Sequence, residues 1–170
     1  MPVRVPPHTE AEADPGAEHR LAMCRLAVGQ DPRLTVSDLE LRREGPSYTV
    51  DTLRALHTED PGRELTFILG ADVARTLAQW REPAEILALA RLAVAERDGS
   101  ARREIRGTLA GLGAGGRVEF LDMAPIDVSS SQVRERVAAG ETIDGLVPAP
   151  VAAYISEHGL YRAPWPAGVG

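Results

Sequence analysis

Three serines and an arginine lie together in Asp127-Val128-Ser129-Ser130-Ser131-Gln132-Val133-Arg134. Ser129 and Gln132 have the spacing of a capping box, in which side chains satisfy the orphan N–H groups of a helix's first turn. Capping accounts for one hydroxyl and the glutamine, but it does not require three hydroxyls. Arg134 lies three and four residues after Ser131 and Ser130, so all three share one helix face. Helical side chains lean toward the N-terminus, which aims the guanidinium at the end of the helix that attracts anions. Capping alone and phosphate binding both fit this segment.

Other polar residues stand where chemistry is possible. Gly70-Ala71-Asp72 closes a strongly apolar run, Trp80-Arg81 sits among Gln79 and Glu82, and Arg97 follows another apolar run. Each has an ordinary explanation: Gly70 as a turn, Asp72 as an N-cap, Trp80 as a core aromatic, Arg97 as a solvated charge. All 19 basic residues are arginines, so Schiff-base chemistry on lysine and a P-loop lysine are excluded. His8, His19, His57, His158 and the single Cys24 show no metal-ligand spacing.

The elements that must position these residues read as an α/β layer fold. The 170 residues are enough for one domain with a core. The net charge of −6 argues against a nucleic-acid-binding role. No apolar run approaches a membrane span and no signal peptide is evident, so a cytoplasmic protein without disulfides is expected. Val3 to Val5 reads as the end of a strand. Asp14-Pro15 reads as the start of a helix, with Asp14 as N-cap, running to Gly29.

Leu34 to Val36 is a weak strand, and a helix with Val50, Leu53 and Leu56 on one side follows Ser47. Leu65 to Leu69 is the strongest strand, a continuous apolar run of the kind buried on both faces of a parallel sheet. Leu92 to Ala95 and Val118 to Leu121 are further strands, with helices over 83–90 and 101–112 between them. A last helix starts near Pro148 and Pro150 and stops at Gly159. Strands alternating with helices predict a mostly parallel sheet covered by helices on both faces. One domain over 1–161 and a loose tail over 162–170 are expected. In such sheets the ligand crevice lies at the carboxyl ends of the strands, and several of the polar clusters fall there.

Ordered motifs carry a resemblance over most of the chain. They are PPH at Pro6 to His8, EHRLAM at Glu18 to Met23 and LELRREGPSYTVDTL at Leu39 to Leu53. ILGAD at Ile68 to Asp72, Trp80 with Ile86 six residues on, VSSSQVR at Val128 to Arg134 and LVPAPVAAYISEHGLY at Leu146 to Tyr161 continue the series. In this order they resemble bacterial nicotinate-nucleotide adenylyltransferases, which have a Rossmann-like nucleotidylyltransferase fold. The resemblance implies an enzyme of NAD biosynthesis that transfers AMP from ATP, with Mg²⁺, to nicotinate mononucleotide, releasing pyrophosphate. Ser47, Tyr48, Thr49, Trp80 and Arg81 would form the nicotinate side, with Trp80 stacked on the ring. His8, Gly70, Asp72, Arg97, Ser129, Ser131 and Arg134 would meet ribose and phosphates. The opening segment then serves both ends: its first turn is capped, and an anion completes the capping.

The sequence departs from the family at its start. The family's glycine-rich first turn ends in an H-x-G-H type pair that neutralises the triphosphate, and no such pair occurs here, so no catalytic residue is assigned. The resemblance implies that the chain begins where the family's second strand is ending. About 30 to 40 residues would then precede it, by the usual length of a βα unit. A misplaced start is the expected cause, and the chain as written is expected to turn over little or not at all. Thr9, where the family usually has a basic residue, and Asp98, where proline is common, bear on the triphosphate side. Two alternatives accompany this reading: a nucleotide-binding module without catalysis, and an adenylyltransferase for another acceptor such as nicotinamide mononucleotide. Neither a membrane nor a nucleic acid is an expected partner, and a homo-oligomer is compatible with the sequence.

Overall fold

A computed structural model describes residues 2, 14–29, 31–96, 102–113, 116–124 and 126–162. In chain order the elements are α1 (Ala17–Val28), α2 (Thr49–Glu59), β1 (Leu65–Gly70), α3 (Ala71–Thr76), a short 3₁₀ turn (Leu77–Gln79), α4 (Pro83–Leu89), β2 (Ala90–Glu96), α5 (Arg102–Ala110), β3 (Val118–Asp122), α6 (Ser130–Ala138) and α7 (Ala149–Glu157). The patterning that read as one domain over 1–161 is carried by two compact units, residues 48–126 and residues 1–47 with 127–170. The expected strand at Val3 to Val5 and the tail beyond Arg162 lie outside the described residues.

The unit of residues 48–126 is built on a parallel three-stranded sheet in the order β1-β2-β3. Leu65 pairs in register with Ala90 and Gly70 with Ala95, while Leu92 pairs with Val118 and Glu96 with Asp122. Parallel neighbours need crossover connections, and α3 with α4, then α5, supply them. β2 is central, and Leu92, Ala93 and Val94 are all buried. Leu69, Leu92 and Val94 from the sheet meet Val50 and Leu53 of α2, Leu77, Ile86 of α4, and Ile105 and Leu109 of α5 in one core. Ile105 and Leu109 are four residues apart, so α5 turns one stripe inward.

Three sequence expectations are corrected here. β1 is not buried on both faces: Leu69 is buried, but Ile68 is 64% exposed and Thr66 is exposed. Its apolar run lies on an edge strand of the described sheet, and the doubly buried position belongs to β2. Leu34 to Val36 forms no strand. α1 begins at Ala17 rather than at Pro15, because Gly16 at a φ of 95° turns the chain and Asp14 Oδ1 accepts the Gly16 N–H at 3.0 Å. Asp14 therefore braces the entry to the helix without being its N-cap.

In the other unit, Val133, Ile143, Val151, Ile155 and Leu160 form a second core, with Met23 and Leu26 of α1 packed on it. His19 Nδ1 and the Tyr154 hydroxyl are hydrogen-bonded at 2.9 Å, tying α1 to α7. α7 ends as the sequence predicted. Gly159 adopts a φ of 60°, its N–H donates to Ser156 O, and the Leu160 N–H donates to Ile155 O at 3.0 Å. These are the two bonds of a Schellman stop, and they seat Leu160 in the core. Among the described residues no helix is long and apolar enough to cross a membrane.

The central position of β2 sets a contrast that urea unfolding can measure. Leu92→Ala should cost about 2–5 kcal/mol, as expected for an unrelieved core cavity. Ile68→Thr, on the exposed face of β1, should change stability by no more than about 0.5 kcal/mol.

Candidate functional site

The richest convergence of the expected residues lies where α2 begins and α4 is entered. Thr49 opens α2, and Tyr48 stands before it as N-cap with an extended backbone. On the other side, the 3₁₀ turn releases Trp80 in an extended conformation. The Arg81 guanidinium lies over the Tyr48 ring, 4.8 Å from its centroid, so the GPSYTV and WRE motifs meet. Trp80 is half-buried. Its ring meets Phe67 edge-on at 6.1 Å, and its indole N–H donates to Thr76 Oγ1 at 3.1 Å. The core-aromatic reading therefore accounts for part of Trp80, which packs against the core.

A ring of alternating charges holds this turn. Arg54, on α2, donates to Asp51 Oδ1 at 3.2 Å, to Glu82 Oε2 at 2.5 Å and to both carboxylate oxygens of Glu85. Arg81 in turn lies 3.5 Å from Asp51 Oδ2 and 3.5 Å from Glu82 Oε1. Glu82 is the N-cap of α4 and adopts a left-handed backbone, φ 51° and ψ 56°. A non-glycine residue there costs about 1–3 kcal/mol and persists only where its surroundings impose it. Pro83 disfavours the right-handed helical region for the residue before it, and Arg54 grips the side chain. The Arg54 hydrogen bond holds the Glu82 carboxyl below its ordinary value of 4.5, and the same two glutamates push the Arg54 pKa upward.

The strand ends carry the remaining expected residues of this unit. Gly70 closes β1 and is the N-cap of α3 with φ −72°, so no left-handed backbone demands glycine. A Cβ built there would meet nothing within 4 Å. Asp72 is therefore not the N-cap that the bland reading offered. Its side chain is 98% exposed and pairs with Arg75 at 3.2 Å. At the carboxyl ends of β2 and β3, Arg102 binds the buried Glu96 carboxylate at 2.6 Å and also Asp122. His8 and Arg97 lie outside the described residues.

In the unit of residues 1–47 with 127–170, α6 opens as its sequence predicts. Ser129 is the N-cap, and its Oγ accepts the Gln132 N–H at 3.1 Å, the forward bond of a capping box. Arg134 leans back along the helix, and its Nη2 donates to Ser131 Oγ at 3.2 Å. Ser129, Ser130 and Ser131 are exposed, and Arg134 is half-buried. Ser47 is only 8% exposed, and its Oγ has no hydrogen-bond partner among the described residues. Among those residues no group of three or more His, Cys, Asp or Glu could hold a metal ion.

Reading the sequence missed Arg54, Asp51 and Glu85, and treated Glu82 only as a polar neighbour of Trp80. The available signal was local on one side only: Arg54 follows Asp51 by three residues on α2, a helical ion-pair spacing.

A model of the cytidylyltransferase-like family matches residues 1–136. A protein of Symbiobacterium thermophilum named "probable nicotinate-nucleotide adenylyltransferase" is 43% identical over 163 residues, covering 95% of this chain and 78% of that protein. A protein of Dehalococcoides mccartyi with the same name is 44% identical over 149 residues, covering 85% and 72%. Among solved structures, the chain is similar to Plasmodium falciparum nicotinic acid mononucleotide adenylyltransferase complexed with NaAD. The TM-score is 0.67 at 18% identity, covering 90% of this chain and 78% of that one. The same protein complexed with APC gives 0.66 at 19% identity, covering 86% and 76%. At that level of identity the likeness establishes the fold.

Two outcomes test the local chemistry. Ser129→Ala should cost about 0.5–2 kcal/mol and Ser129→Gly only a few tenths in thermal unfolding, as at other N-caps. Because folding lowers the Glu82 pKa, its contribution is complete above about pH 4.5 and is lost as the pH falls through the lower folded value. Melting temperatures of Glu82→Gln recorded between about pH 3 and 6 should fall less steeply on the acid side than those of the parent.

Proposed function

This chain belongs to the cytidylyltransferase-like family and to the nicotinate-nucleotide adenylyltransferases, and from that premise we propose that it joins nicotinate mononucleotide to the adenylyl group of ATP. A phosphate oxygen of the mononucleotide attacks the α-phosphorus of ATP, the bond to the β-phosphate breaks, and pyrophosphate leaves. The product is nicotinate adenine dinucleotide. Such a transfer needs no side-chain nucleophile; it needs two phosphates held in line and their charge offset.

The observation that carries this reading is the meeting of Tyr48 and Arg81 beside the half-buried Trp80, from motifs far apart in sequence. In this reading Trp80 stacks on the pyridine ring, while N–H groups near Thr49 and Arg81 take the ring carboxylate. Ser47, beside them in sequence, brings a hydroxyl whose donor is unspent. Asp72 bonds a ribose hydroxyl, and the open space beside Gly70 suits a close approach of ligand to backbone. Ser129, Ser131 and Arg134 bind phosphate at the start of α6, where the helix dipole favours an anion. His8 and Arg97 join the phosphate side by resemblance alone. Mg²⁺ would enter with ATP, coordinated largely by its phosphates and water.

Calorimetric titration with each nucleotide, followed by a pyrophosphate-release assay with both present, tests the proposal. Trp80→Ala should weaken nicotinate mononucleotide binding by about 5- to 150-fold, the loss of one aromatic stacking partner, and leave ATP nearly unaffected. Equal losses on both nucleotides would remove Trp80 from the pyridine side. Saturable binding of both without pyrophosphate release is the outcome expected of a chain without the H-x-G-H pair; it would favour a nucleotide-binding module only if a form carrying that pair were equally silent.

A further inference from the structure

We propose that Arg54 is a specificity-determining positioning residue, which lets the site prefer a pyridine carboxylate over a carboxamide. This rests on the pyridine-side reading above and goes beyond it to a residue that touches no substrate.

Arg54 and Arg81 share two carboxylates in a closed ring. Asp51 accepts from Arg54 at 3.2 Å and faces Arg81 at 3.5 Å, while Glu82 accepts from Arg54 at 2.5 Å and faces Arg81 at 3.5 Å. Glu85 adds a third carboxylate, bound by Arg54 through two nitrogens. Asp51 and Glu82 thus stand beside Arg81, with Glu85 held by the same Arg54, which offsets one of the three negative charges while occupying oxygens of all three. Without Arg54, Asp51 and Glu82 would turn their full charge on Arg81. The local balance of these five groups would fall from −1 to −2 where an anionic ring substituent has to dock. An anion would be penalised and a neutral amide of nearly the same shape would not.

Arg54 also clamps Glu82, the left-handed residue that directly follows Trp80 and Arg81. Its planar fork binds three carboxylates at once, which a lysine ammonium would do only as a point charge. The side chain is 38% exposed, and exposed ion pairs add little to stability. A role confined to holding the fold would therefore leave little trace in stability and none in the choice between acid and amide.

The test is calorimetric binding of nicotinate mononucleotide, nicotinamide mononucleotide and ATP to the full chain and its variants at low salt, with thermal melts alongside. Arg54→Ala should reduce the acid-to-amide affinity ratio by about two- to fivefold, the scale of one partly exposed charge interaction. ATP affinity should stay within twofold. Arg54→Lys should restore part of the ratio. Should Arg54→Ala fail to fold, Glu85→Gln gives an independent reading, because removing a carboxylate should raise the ratio. An unchanged ratio in the folded variants, or a parallel loss of ATP affinity, would overturn the assignment while leaving the proposed function standing. A parent chain that binds no nicotinate mononucleotide would overturn both.

Discussion

A central parallel strand must have both edges paired and both faces covered, and in the unit of residues 48–126 that strand is β2. Its neighbours follow from it. β1 and β3 take its two hydrogen-bonding edges, and the crossover helices that parallel pairing demands bring α4 and α5 onto the core. Its carboxyl end closes on the buried Glu96, whose charge Arg102 meets while also reaching Asp122 on β3. A buried carboxylate needs such a partner, so the same arginine that neutralises Glu96 ties the ends of two strands together. The polar residues of the candidate site that belong to this unit are built onto this frame, at the strand ends and at the helix starts.

The chain does this work with arginine alone. Because a guanidinium presents five donors in a planar fork, one side chain can bridge several elements, as Arg54 bridges α2 and α4. Arg117 likewise donates to Leu87 O and Ala88 O, closing the end of α4 with a cation where the helix dipole favours one. The left-handed Glu82 is tolerated within such a web. The same web also leaves the site's charge balance dependent on a few exposed groups rather than on the total charge of the protein.

Sequence reading succeeded where the physics is short-range. The Ser129 cap spans three residues, and the Schellman stop at Gly159 spans five, so residue types alone announce them. α2, α4, α5 and α7 were legible from their periodicity and prolines. β1 was misjudged because a continuous apolar run does not say whether a strand is central or at an edge. That depends on which strands pair, and Ile68 gives no local sign of it. Arg54 was missed for the same reason: its carboxylate partners Glu82 and Glu85 lie 28 and 31 residues away. The Tyr48–Arg81 meeting became an expectation only through a resemblance that orders whole motifs.

Trp80 has one further consequence. The chain contains two tryptophans, and this one has its indole N–H tied to Thr76 and its ring in a T-shaped contact with Phe67, with part of its surface left to solvent. An indole fixed in this way is a fluorophore of defined orientation and mixed polarity, placed where the pyridine ring is proposed to lie. With Trp165 replaced by phenylalanine, its emission maximum and anisotropy would report the arrival of that ring directly. The protein then carries its own optical probe, without an attached label to disturb the turn that the probe reports on.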